Sequence, residues 1–144
     1  MGCCVYGGEG TNKYELEVLE DQTKSLQKIN GNFGASVGDF ETLTFKKDVL
    51  IKANKFYTLK LIMTGSQTKY GQDGKDFVIG PDGTNFVFSN SLLSKNSTSL
   101  SIGQIPLIQY FSVPDEGHPS LQVRFSIFSI YLLYFPICIL DSKI

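Results

Sequence analysis

The stretch Phe56-Tyr57-Thr58-Leu59-Lys60-Leu61-Ile62-Met63 decides the fold class. Tyr57, Leu59, Leu61 and Met63 share one face, and Thr58, Lys60 and Ile62 share the other. That period of two belongs to a strand with one face in a core. Working outward, Tyr14-Glu15-Leu16-Glu17-Val18 alternates in the same way. Asp39–Phe45 places Leu43 and Phe45 on one face. Cys3–Tyr6 is a short apolar run that stops at Gly7-Gly8-Glu9-Gly10. Downstream, Phe77-Val78-Ile79 and Phe86-Val87-Phe88 flank Gly80-Pro81-Asp82-Gly83, a hairpin with turn-forming chemistry in its connection. Ile105–Phe111 reads as a final strand, with Pro106 near its start where a missing N–H is tolerated. Val49-Leu50-Ile51 reads as a short buried strand, Asp21–Lys28 as a polar connection and Asn30-Gly31-Asn32 as a turn. Thr64–Asp76 and Ser89–Ser101 are polar and rich in turn formers. Many short strands separated by turns, with no long helical pattern, predict an all-β antiparallel sandwich or barrel.

Composition agrees. The 144 residues, 42% apolar and 19% charged, fit one domain with its own core and exclude general disorder. A net charge of −1 offers no electrostatic footprint for nucleic acid. Three cysteines, two adjacent and one remote, make no disulfide framework and point to a reducing, cytoplasmic setting. Met1–Gly10 has no basic or apolar secretory segment.

Three stretches give the chain a family likeness. Val5-Tyr6-Gly7-Gly8-Glu9-Gly10 is followed by Tyr14. Tyr57 through Gly65 is followed by Tyr70-Gly71 and Gly74. Phe86-Val87-Phe88 is followed by Asn96-Ser97-Thr98 and by Gly103-Gln104-Ile105-Pro106. In order and spacing these resemble the PHR domain of the PAM/Highwire/RPM-1 ubiquitin ligases and of BTB–PHR proteins. The resemblance covers residues 2–111 and implies an antiparallel β-sandwich of PHR type. Ser66 stands where the family usually has Pro, and Ser97 where it has Gly. Met1-Gly2 falls inside an early family strand, so the domain is expected to lack its N-terminal strand. Residues 112–120 read as a polar linker and 121–144 as a hydrophobic tail outside the family pattern.

The resemblance implies a module that recognises a protein partner rather than an enzyme. BTB–PHR proteins couple such a module to a cullin-based ubiquitin ligase, and this chain would supply the recognition half of such an adaptor. Recognition falls on loops at the end of a rigid sandwich. The candidates are Tyr70, Gln72, Asp73 and Lys75 in the first polar loop, with Asn96, Thr98 and Gln104 in and just after the second. Tyr70 leads as an aromatic anchor, against the plainer reading that it packs under its own loop.

Other signals weigh less. Met1-Gly2-Cys3-Cys4 has the makings of dual acylation, but Tyr6 stands where the motif wants Ser or Thr, and the residues read better as strand. His118, the single histidine, sits in the loop composition Pro114–Pro119 and has no nucleophile motif to serve. One histidine and scattered cysteines make no zinc site, and no calcium loop is present. Gly7–Gly10 and Gly71–Gly74 precede no helix and read as turns, so no cofactor is expected. Lys46, Lys47, Lys52 and Lys55 read as a solvated strand face. Phe125–Leu140 is almost wholly apolar but shorter than the ~20 residues of a spanning helix. It reads first as a gene-model artefact and, equally behind that, as a membrane anchor or as an extra strand on an exposed edge. A membrane-tethered structural sandwich, anchored through residues 121–140, is therefore the alternative function.

Overall fold

The computed structural model describes residues 1–35, 38–52, 54–94, 98–111 and the backbone strand at 129–132. It is all-β, with strands β1 (Gly2–Tyr6), β2 (Asn12–Glu20), β3 (Lys24–Phe33), β4 (Phe40–Thr44), β5 (Tyr57–Gly65), β6 (Gly71–Gln72), β7 (Phe77–Ile79), β8 (Asn85–Val87), β9 (Ile102–Gly103), β10 (Leu107–Gln109) and β11 (Ser129–Leu132). A three-stranded sheet, β10-β1-β4, and a four-stranded sheet, β11-β5-β2-β3, supply the core residues of a β-sandwich. Two two-stranded ribbons, β6-β9 and β7-β8, complete the fold. All pairings are antiparallel except β11 with β5, which is parallel from Ser129 opposite Lys60 to Leu132 opposite Met63.

The core follows the alternation. Tyr57, Leu59, Leu61 and Met63 of β5 are each at most 2% exposed. They join Leu16 and Val18 of β2, Cys3 and Val5 of β1, and Leu43 of β4, with Phe45 just after it. Tyr57 keeps its hydroxyl satisfied by accepting from the Lys52 N–H at 2.9 Å.

Three local expectations are corrected. Residues 24–28 and 30–32 lie inside β3, a ten-residue strand, rather than in a connection and a turn. The reversal is confined to Asp21–Thr23, with φ of 50° at Asp21 and 62° at Gln22. Two successive left-handed residues match the right-handed twist of the flanking strands. Gly31 lies opposite Tyr14, and an added Cβ would come within 2.7 Å of the Tyr14 hydroxyl. The glycine therefore makes room for a cross-strand ring, not a turn. Val49–Ile51 forms no strand: Val49 and Ile51 rest against the core while Leu50 is 70% exposed.

The N-terminal residues also settle into structure. Gly2–Tyr6 is the middle strand of its sheet, and Cys3 is fully buried. Burial pushes the Cys3 thiol up to about 12, with the Cys4 sulfur adding to the effect. A thiol so held is a poor nucleophile for acylation. His118 and most of the 121–140 run lie outside the described residues. Among the described residues no helix is long and apolar enough to cross a membrane.

Candidate partner-binding site

The two polar loops nominated by the sequence meet. Gly71 of β6 pairs with Gly103 of β9, and Gln72 with Ile102. Beside this ribbon opens a cleft of about 510 Å³. One wall is the hairpin, through Val78, Phe86 and Phe88. The other is the approach to and length of β10, through Pro106, Ile108 and Tyr110.

Aromatic rings build the floor. Phe86 is 5% exposed and meets Tyr110 edge to face at 4.7 Å between centroids. Phe86 and Phe88 lie parallel at 6.3 Å. The Tyr110 hydroxyl donates to Asp82 Oδ1 at 2.6 Å, and Asp82 also accepts from the Thr84 N–H and hydroxyl. One carboxylate thus closes the hairpin turn and pins it to the end of β10. Burial raises the Tyr110 pKa, and donation to Asp82 raises it further. Tyr6 lines the cleft as well, and its pKa is raised by burial and then by Asp39.

The base of the cleft is tied by main-chain bonds among the three sequence motifs. The Tyr6 N–H donates to the Gln104 carbonyl at 3.1 Å, and the Lys69 N–H to the Gly7 carbonyl at 2.9 Å. The Gln104 side-chain amide donates to the Lys69 carbonyl at 2.6 Å. Gly71 packs so closely on Tyr6 that a Cβ would lie 2.5 Å from the phenolic oxygen. The motif residues therefore first do structural work: they fuse three distant segments into one platform.

The nominated residues divide. Gln72, Asp73 and Lys75 line the cleft. All three are exposed, and among the described residues neither Asp73 nor Lys75 has an ion-pair partner. Tyr70 is half-buried and lies outside the cleft lining. Gln104 is 2% exposed and faces inward as a clasp, not outward as a contact. Thr98 is bound within its own loop, receiving the Ser94 hydroxyl at its carbonyl (3.1 Å) and meeting it at Oγ1 (2.8 Å). Asn96 lies outside the described residues. The sequence reading missed the hairpin and β10 as cleft walls. Their signal was present in Phe86, Phe88 and Tyr110, but nothing in their spacing says that strands so far apart in sequence face each other.

Comparison with known proteins names the platform. The family model described as "PHR domain" matches residues 1–111, and the chain belongs to the PHR domain family. It is similar to the zebrafish protein "E3 ubiquitin-protein ligase MYCBP2", at 35% identity over 133 residues and 81% of this chain. It is similar also to the Drosophila melanogaster "E3 ubiquitin-protein ligase highwire", at 35% identity over 130 residues and 81% of this chain. The chain spans only 3% and 2% of those two proteins.

Proposed function

We propose that this domain is a non-catalytic protein-recognition module that holds a partner in the cleft between the β7–β8 hairpin and β10. The observation that carries this reading is the cleft itself: a rigid aromatic floor rimmed by an exposed lysine and carboxylate without ion-pair partners among the described residues. Such a surface gives apolar anchoring at its centre and polar discrimination at its edge. Membership of a family that also occurs in proteins named as ubiquitin ligases supports a role in presenting a partner to ubiquitin-transfer machinery. The adaptor role is proposed from that resemblance, and a cytoplasmic setting from the three cysteines that make no disulfide framework.

The test is quantitative capture from cell extract with the full chain, compared with Lys75→Glu and Val78→Arg. Both positions line the cleft, and neither is in the buried core. Proteins retained by the parent chain and lost from both variants, with thermal transitions unchanged, support the reading. An identical set of captured proteins from all three contradicts it.

A further inference from the structure

Among the described residues, the wall of the cleft formed by β10 is a sheet edge whose one strand neighbour is β1. In the β1–β4 ladder the Phe45 N–H reaches the Met1 carbonyl and the Gly7 N–H the Asp39 carbonyl, each at 3.1 Å. Odd-numbered residues of β1 therefore turn their backbone groups toward β4, and Gly2 and Cys4 turn theirs toward β10. Gly2 lies opposite Gln109 and Cys4 opposite Leu107. It follows that Ile108, between them, points its N–H and C=O away from the sheet. The alternation carries the Pro106 carbonyl and the Tyr110 N–H to the same side. None of these groups has a backbone partner among the described residues. Proline fits here because the N–H it lacks would have faced outward. All three residues line the cleft.

We infer that β10 is a strand acceptor, and that its occupant is an extended peptide segment of a partner protein. This rests on the reading of the cleft as the partner site and specifies how it is filled. The segment pairs with the outward groups of Ile108 and its neighbours, adding a fourth strand to the three-stranded sheet opposite the four-stranded one. Alternate apolar side chains enter the cleft over Phe86 and Tyr110. A carboxylate of the segment meets Lys75, whose ammonium has no ion-pair partner among the described residues. A helical partner satisfies none of the β10 edge groups, because its own backbone is already paired.

The experiment pans a random twelve-residue phage-displayed peptide library on the full chain and resynthesises an enriched sequence with a fluorophore for anisotropy. The expected peptide alternates apolar and polar residues and carries an Asp or Glu. N-methylation of residues of one parity weakens it at least about tenfold, while methylation of the other parity does not. Of the backbone hydrogen-bonding groups, Ile108→Pro removes only an outward donor, and it weakens the unmethylated peptide similarly; it also trims a side chain packed against the core. Should that variant lose its thermal transition, the methylation arm on the parent chain decides alone. Failure to enrich any peptide, or a peptide indifferent to methylation of either parity, overturns strand addition. If that indifferent peptide is still weakened by Lys75→Glu and Val78→Arg, strand pairing falls and the cleft remains the partner site.

Discussion

The Gln104 side-chain amide donates to the Lys69 carbonyl at 2.6 Å, joining two loops 35 residues apart in sequence. Gln104 is 2% exposed, and its carbonyl oxygen Oε1 has no hydrogen-bond partner among the described residues. Truncating it leaves the Lys69 carbonyl without that donor and opens a small void beneath the cleft. Gln104→Ala is expected to cost about 1–3 kcal/mol. Urea unfolding monitored by tyrosine fluorescence measures it. A loss below about 0.5 kcal/mol, the usual scale of a surface substitution, would show that the clasp is dispensable.

Gln22 holds a φ of 62° next to Asp21 at 50°. Asp tolerates the left-handed region through local hydrogen bonding, whereas Gln carries the full steric cost. Gln22→Gly is expected to stabilise the domain by about 0.5–1 kcal/mol, the release of strain outweighing the added freedom of the unfolded chain. A rise in the midpoint of thermal unfolding checks this; a fall would show that the turn tolerates Gln without strain.

Glu20 receives Lys55 and, at 2.9 Å, Lys24. The bond from Lys55, followed by that from Lys24, holds its carboxyl down at about 2 against an ordinary 4.5. A lowered folded-state value favours folding at pH above about 4.5, and that contribution disappears as pH falls from there toward about 2. Glu20→Gln is expected to flatten this part of the stability–pH curve, and added salt to shrink the difference, since the pair is at the surface. An unchanged acid limb in Glu20→Gln would assign acid sensitivity to other carboxyls.

Much of the sandwich is legible because burial imposes a period of two. The sequence 57–63 alternates cleanly since one face of β5 is the core, and the same holds for Leu43 and Phe45. Legibility failed where the decisive partner is remote in sequence. Asn30-Gly31-Asn32 has turn composition, yet the Tyr14 ring opposite explains the glycine within a strand. Apart from Leu26, which packs against the core, residues 24–28 are polar: among the described residues β3 pairs only with β2, and much of its surface is left to solvent. Lys28 there pairs with Glu15 across the ladder at 2.7 Å.

The candidate site was read by half for the same reason. Gln72, Asp73 and Lys75 are local loop residues, and the loop does reach the cleft. Gln104 carries the same polar signal but points inward, because its partner Lys69 lies in the other loop. Composition cannot distinguish a polar residue that clasps a backbone from one that faces a partner.

The central claim is that the cleft between the hairpin and β10 receives a protein partner. Its most direct test replaces Ile79, an exposed residue of the cleft lining, and Lys28, on β3, each with a photo-crosslinking phenylalanine analogue and irradiates the full chain in cell extract. The account predicts a discrete crosslinked partner from position 79 and none from position 28. Crosslinks of equal yield from both positions, or from position 28 alone, would place the partner elsewhere on the sandwich and contradict it.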